Sequence, residues 1–219
     1  SLFAGGNSAE ALTKEATIEV KSGTIEYLYG GGVNDTVGTV AIALKGGVVS
    51  GDVYLGGVAN GATATVKDAK LVLSTGAAIG QSIYMGGSSA LSASTTAVEK
   101  AEVDVLGGAI GTDRIYGYGQ NKDLDAVDSK IIRVHYLSAL NHRFYFNFDD
   151  EAAAEVIVDQ QDDVASYIVK KVDVAEETTA VHDFLTPYKL VLGQTMHTVT
   201  FYAKDNYTVL KQFQVADGA

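Results

Sequence analysis

A short phrase recurs five times before residue 120, and it limits the fold more than any other feature of the chain. It reads Leu2-Phe3-Ala4-Gly5-Gly6, Leu28-Tyr29-Gly30-Gly31, Val53-Tyr54-Leu55-Gly56-Gly57, Ile83-Tyr84-Met85-Gly86-Gly87 and Ile115-Tyr116-Gly117-Tyr118-Gly119. Its aromatic positions Phe3, Tyr29, Tyr54, Tyr84 and Tyr116 are 26, 25, 30 and 32 residues apart. Periods of this size mark stacked supersecondary units that cannot bury an apolar face alone.

A second phrase alternates with the first. Its copies are Thr17-Ile18-Glu19-Val20, Ala41-Ile42-Ala43-Leu44, Lys70-Leu71-Val72-Leu73, Glu102-Val103-Asp104-Val105 and Ile131-Ile132-Arg133-Val134. In each, the apolar residues Ile18/Val20, Ile42/Leu44, Leu71/Leu73, Val103/Val105 and Ile132/Val134 fall two apart, the period of a strand with one dry face. Each repeat therefore holds at least two strands joined by glycine corners, with room for a third. Laid on its neighbour about 4.8 Å away, such a unit pairs its backbone in parallel and shares one apolar interior. The fold class expected is all-β, a right-handed parallel β-helix of five or six coils.

Composition agrees with a solenoid. There are 24 glycines, one proline and 47% hydrophobic residues, too apolar for a disordered tract. A formal charge of −11 argues against nucleic acid and anionic membranes as partners. Cysteine is absent, which removes disulfides and thiolate metal sites. No apolar run of about 18 residues predicts a membrane insertion in this segment. The chain opens inside a copy of the first phrase, and a part of a longer chain is the expectation.

Three divisions follow from texture: coils over 1–140, irregular β-structure capping the solenoid over 141–196 (or a small β-sandwich), and a β-hairpin over 197–219. Beyond residue 140 glycine thins out and Arg143-Phe144-Tyr145-Phe146-Asn147-Phe148 alternates. At the end, Val199-Thr200-Phe201-Tyr202, Lys204-Asp205, Val209-Leu210-Lys211 and Val215-Ala216-Asp217-Gly218 resemble the opening half of the Listeria–Bacteroides repeat, the internalin B-type module. The Tyr/Gly-Gly coils are similar to repeats of bacterial surface adhesin-like proteins with pectin-lyase-like β-helices. These resemblances imply an extracellular, cell-surface location and a non-enzymatic stalk or adhesin that meets a glycan or protein ligand on host or neighbouring cells.

Residue chemistry offers three candidate sites. In the first phrase an apolar residue precedes each aromatic, so alternation sends Tyr29, Tyr54, Tyr84 and Tyr116 outward as a ladder. Such a ladder is either a platform for sugar rings or a structural stack. Asp123, Asp125 and Asp128 are calcium candidates by charge, without the spacing of a known calcium loop; Asp149/Asp150/Glu151 and Asp159/Asp162/Asp163 are similar groups. No catalytic motif appears. Glu102 and Asp104, with Arg133 expected on the next coil, form either a salt-bridge ladder or the carboxylates of a polysaccharide-acting enzyme, which stands as the alternative to a stalk.

Overall fold

The computed structural model describes residues 1–89 and 94–134 in full, and beyond them the backbone of residue 135 and of strands between 144 and 216. Numbered along the chain, the long strands are β2 (Leu12–Val20), β5 (Thr36–Leu44), β9 (Thr63–Leu73), β13 (Thr95–Val105), β16 (Asp125–His135) and β18 (Ala154–Asp159). They form one six-stranded sheet. The phrases dictate its register: Ile18 pairs with Ile42, Ile42 with Leu71, Leu71 with Val103, Val103 with Ile132 and Ile132 with Val156, all in parallel.

The second face is β3 (Thr24–Ile25), β6 (Gly47–Val49), β10 (Ala77–Ile79) and β14 (Ala109–Ile110). This is the third strand for which the sequence left room. The third face carries the aromatic phrase: β1 (Leu2–Phe3), β4 (Leu28–Tyr29), β7 (Val53–Tyr54), β11 (Ile83–Tyr84), β15 (Arg114–Tyr116) and β17 (Phe144–Asn147). A short fourth segment, β8 (Val58–Ala59) paired with β12 (Ser88–Ser89), returns two of the coils to the long sheet. The molecule is thus a parallel β-helix. Among the described residues four turns carry all three faces, and the expected five or six coils are reached only in the long sheet and the aromatic sheet.

Beyond the coils, β20 (Pro187–Leu192) pairs antiparallel with β17, and β19 (Tyr167–Lys171) pairs antiparallel with β20. Phe146 takes the register position of Ile115. β21 (Met196–Tyr202) and β22 (Val209–Ala216) form the antiparallel hairpin. The Lys204-Asp205-Asn206 turn lies outside the described residues, as do Asp149, Asp150, Glu151, Asp162 and Asp163.

The interior is the apolar shaft that alternation demands. Leu28, Val53, Ile83 and Ile115 from one face meet Ile42, Leu71, Val103 and Ile132 from another, all at most 1% exposed. The long strands β5, β9, β13 and β16 each break their alternation once at the same register. Between Val37 and Val40, Val66 and Ala69, and Val98 and Ala101, two consecutive residues leave the core, so the strand kinks around a corner. Lys130 occupies the inward position of this kink, and its ammonium donates to the Val127 carbonyl at 2.7 Å. Ala101 and Ala69 occupy the same inward register one and two coils back, where their small side chains leave room for a lysine stem.

The glycines divide into two kinds. Gly47, Gly76 and Gly108, which follow the second phrase, adopt positive φ, as corner residues should. The pairs after the aromatic phrase do not. A Cβ on Gly31 or Gly56 would stand 2.6 Å from the backbone of the next coil, so these glycines permit close stacking rather than a special turn.

Candidate functional site

The aromatic row is built by β1, β4, β7, β11 and β15. Because Leu28, Val53, Ile83 and Ile115 point inward, the residue after each must point out, and parallel register sets Phe3, Tyr29, Tyr54, Tyr84 and Tyr116 above one another. Their rings stack with centroids 4.7, 5.0, 4.9 and 4.5 Å apart and planes within 12° of parallel. Stacked pairs of this kind contribute about 0.5–1.5 kcal/mol each beyond their area. Tyr54, in the middle, is only 4% exposed. The ring faces are therefore covered by one another, and what a partner can reach is the edge of the stack.

That edge is polar. The Tyr54 hydroxyl donates to Asp52 Oδ2 at 3.5 Å, and Asp52 Oδ1 accepts the Ser82 N–H at 2.9 Å. Ser82 Oγ lies 2.7 Å from Thr112 Oγ1. Tyr116 is hydrogen-bonded to Ser82 and to Tyr84. Burial, with the Asp52 charge next, pushes the Tyr54 phenol far above its ordinary range; burial and neighbouring Tyr116 do the same to Tyr84. Burial also raises Tyr29 and Tyr116. The row is a chain of neutral phenols, donors and acceptors at once, with one carboxylate beside it.

A second cluster lies on the outward side of the long sheet. Register puts Lys70 under Glu102 and Arg133 over Asp104. Lys70 Nζ is 2.5 Å from Glu102 Oε1 and 2.8 Å from Asp104 Oδ2. Arg133 bonds Glu102 and reaches Asp104 Oδ1 at 3.4 Å. Burial pushes the Glu102 carboxyl up, but the hydrogen bond from Lys70 and the charges of Lys70 and Arg133 outweigh it and hold it below the ordinary range. Hydrogen bonds to Asp104 and Glu102 raise Lys70. A glycosidase acid needs a carboxyl that keeps its proton near neutrality, and this environment does the opposite. The arrangement is the salt-bridge ladder that the sequence allowed, with Lys70 as a member it did not reveal.

The three calcium candidates do not converge. Asp123 and Asp128 are exposed, whereas Asp125 is fully buried. Its carboxylate accepts the Asn121 N–H at 2.7 Å, the Thr96 hydroxyl at 2.8 Å and the Ser89 N–H at 3.3 Å. Among the described residues no group of three or more potential ligands faces a common point.

Asp125 belongs to a row that sequence reasoning missed. Asp35, Ala64, Thr96 and Asp125 share one register position at the entry to successive long strands, all at most 1% exposed. Asp35 accepts the Gly6 N–H at 2.5 Å and the Thr13 hydroxyl at 3.1 Å; Thr96 accepts the Gly87 N–H at 3.2 Å. The row ties glycine-rich backbone to the sheet, satisfying donors that would otherwise be buried unpaired. Its only signal is a polar residue at the start of three of the four strands, Asp35, Thr96 and Asp125, visible once the strands are aligned.

None of the described residues forms a helix long and apolar enough to cross a membrane. Compared with protein-family models, with curated proteins and with solved structures, the chain finds no match.

Proposed function

We propose that the chain is a non-enzymatic, rigid β-helical segment of a secreted bacterial surface protein, presenting a binding surface to glycan or protein ligands. The carrying observation is the unbroken parallel register, Ile18 to Val156 in the long sheet and Phe3 to Tyr116 in the aromatic one. A stack hydrogen-bonded along several faces bends little, and a stiff spacer is what projection from a surface requires. Export and the surface location rest on the resemblance of the Tyr/Gly-Gly coils and of the final hairpin.

The proposed contact surface is the edge of the tyrosine stack, Tyr29, Tyr54, Tyr84 and Tyr116 with Asp52, Ser82 and Thr112. Hydroxyls and a carboxylate in a regular row suit sugar hydroxyls or a peptide backbone; with the ring faces occupied, a sugar would meet edges rather than planes. The test is an array of glycans and extracellular-matrix proteins probed with the intact chain and with Tyr54→Phe/Tyr84→Phe, which keeps the stack and removes two hydroxyls. Binding that falls at least tenfold supports the hydroxyl edge; binding that survives moves the contact elsewhere.

A second reading, a purely structural stalk, is favoured by the same rings: a stack whose tyrosine faces pack on neighbouring rings is complete without a ligand. An array with no ligand for the wild-type chain selects it.

A further inference from the structure

Beside the tyrosine row runs a second outward column. The residues before the inward Leu28, Val53, Ile83 and Ile115 are Tyr27, Asp52, Ser82 and Arg114. Hydrogen bonds between coils, from the Leu28 N–H to the Asp52 carbonyl and from the Val53 N–H to the Ser82 carbonyl, keep this column in register. It shares a face with the tyrosines, because the Asp52 carboxylate meets the Tyr54 hydroxyl two residues on. Asp52 is the one acid of the two columns, and its charge acts on all four phenols of the row. Among the described residues no cation pairs with it. Arg114 stands two coils away, at the Tyr116 end.

Oδ1 of Asp52 takes the Ser82 N–H at 2.9 Å, while Oδ2 takes the Tyr54 hydroxyl only at 3.5 Å. An ionised carboxylate accepts about four donors, so Oδ2 keeps capacity to spare. The group is half-buried, which makes its attraction for a cation stronger than that of a fully solvated acid. Neighbouring Tyr29 and Tyr54 are neutral phenols with oxygen lone pairs. A primary ammonium matches this set with one charge and three donors. A guanidinium fits worse, since its fork needs two oxygens side by side and the Ser82 backbone holds Oδ1. Calcium fits worse too: it takes about six to eight oxygens, and among the described residues no three potential ligands gather.

Spacing along the row selects what carries the amine. Successive tyrosine rings stand 5.0, 4.9 and 4.5 Å apart. An extended peptide repeats one face at about 6.7 Å, twice its rise per residue, and falls out of step with the rungs. An extended chain of equatorially linked hexoses advances by one ring per residue, close to one coil. Its polar groups then stay opposite successive phenols. The Arg114 charge disfavours a second ammonium two rungs on.

We propose that the tyrosine edge binds a linear amino-sugar chain laid along the solenoid axis, with a free ammonium held by Asp52 Oδ2 beside the Tyr29 and Tyr54 hydroxyls. The inference rests on the reading of this edge as the contact surface and adds the chemistry of the ligand.

Isothermal titration of the intact chain tests it at about pH 5.5, above the ordinary carboxylate range of about 4 and with the sugar amine protonated. The probes are short β-1,4-linked N-acetylglucosamine oligomers: fully acetylated, with one free amine, and fully deacetylated. The oligomer with one free amine should bind at least tenfold tighter than the acetylated one, and the fully deacetylated one no tighter than that. Asp52→Asn should abolish the advantage without changing affinity for the acetylated oligomer. Tyr29→Phe keeps the ring stack, should reduce the advantage several-fold, and reports independently if circular dichroism shows Asp52→Asn unfolded. Asp123→Asn, an exposed acid outside both columns, should change nothing. Equal binding of all three oligomers, or none, overturns the ammonium inference and leaves the edge itself to the array with Tyr54→Phe/Tyr84→Phe. An advantage that survives Asp52→Asn, or falls as far in Asp123→Asn, is attraction to the net charge alone and overturns it as well. So does an extended lysine-containing peptide held through Asp52 more tightly than any of the sugars, because that assigns the edge to a protein.

Discussion

The tyrosine row and the charged row both line the outside of one solenoid, yet they are assembled in opposite ways. Each rung of the tyrosine row is nearly the same residue, delivered by the same phrase in every coil, and each contact is ring on ring. The charged row has a different residue on each rung. Lys70, Glu102, Asp104 and Arg133 come from three coils and only balance when those coils are in register. A uniform ladder works because rings attract their own kind, whereas like charges repel and a ladder of charges must alternate. The first can be extended by repeating a coil; the second is tied to particular coils.

This contrast can be broken most severely at Tyr54. Tyr54→Ala should cost about 3–5 kcal/mol in urea denaturation, because it opens a hole in the middle of a buried stack. Tyr54→Phe, which loses only the long hydrogen bond to Asp52, should cost under about 1 kcal/mol. A large loss for Phe would mean that hydroxyls, not rings, hold the row. Next comes Gly56→Ala, at about 1–3 kcal/mol, since its Cβ would meet the Gly87 backbone at 2.6 Å and wedge two coils apart.

The charged row should yield less. Glu102→Gln is expected to cost about 1 kcal/mol, because Lys70 and Arg133 remain partly exposed and can be solvated. A double-mutant cycle with Lys70→Met should return a coupling of at least about 0.5 kcal/mol; a zero coupling would make the pair incidental.

The two rows also sharpen against each other in pH. Raised phenols keep their full contribution below the ordinary phenol pKa of about 10 and lose it as pH climbs beyond that. Stability should therefore fall steeply in alkali, and absorbance at the phenolate band should titrate late for Tyr54 and Tyr84. Glu102, held low, contributes above the ordinary carboxylate pKa of about 4.3 and loses that contribution as pH drops below it. An acid limb of the thermal midpoint that is unchanged in Glu102→Gln would remove this carboxylate from the account. The smallest effect belongs to the exposed Asp123: Asp123→Asn should stay within about 0.5 kcal/mol.

Much of the fold was legible because a parallel stack repeats its demands. Ile18, Ile42, Leu71, Val103 and Ile132 announce one inward row by spacing alone, and Leu28, Val53, Ile83 and Ile115 announce another. The outward direction of the tyrosines follows from the same alternation. The kink in β5, β9, β13 and β16 was not legible, since two consecutive outward residues break the period on which the reading relied. Lys130 was hidden for a related reason: a lysine in a strand is read as solvated until its register shows it at an inward position.

The sequence by itself determined that this chain coils, where the coils begin, and which residues form the shaft, because period-two apolarity and recurrent glycine are local properties. Tertiary structure decided what depends on distances between coils. It alone showed that the ring faces are spent on one another, that Lys70 joins Glu102 and Asp104, and that Asp125 is an internal hydrogen-bond acceptor instead of a partner of Asp123 and Asp128. Register between strands about 30 residues apart converts identical local signals into buried or exposed, paired or solvated groups, and no single strand carries that information.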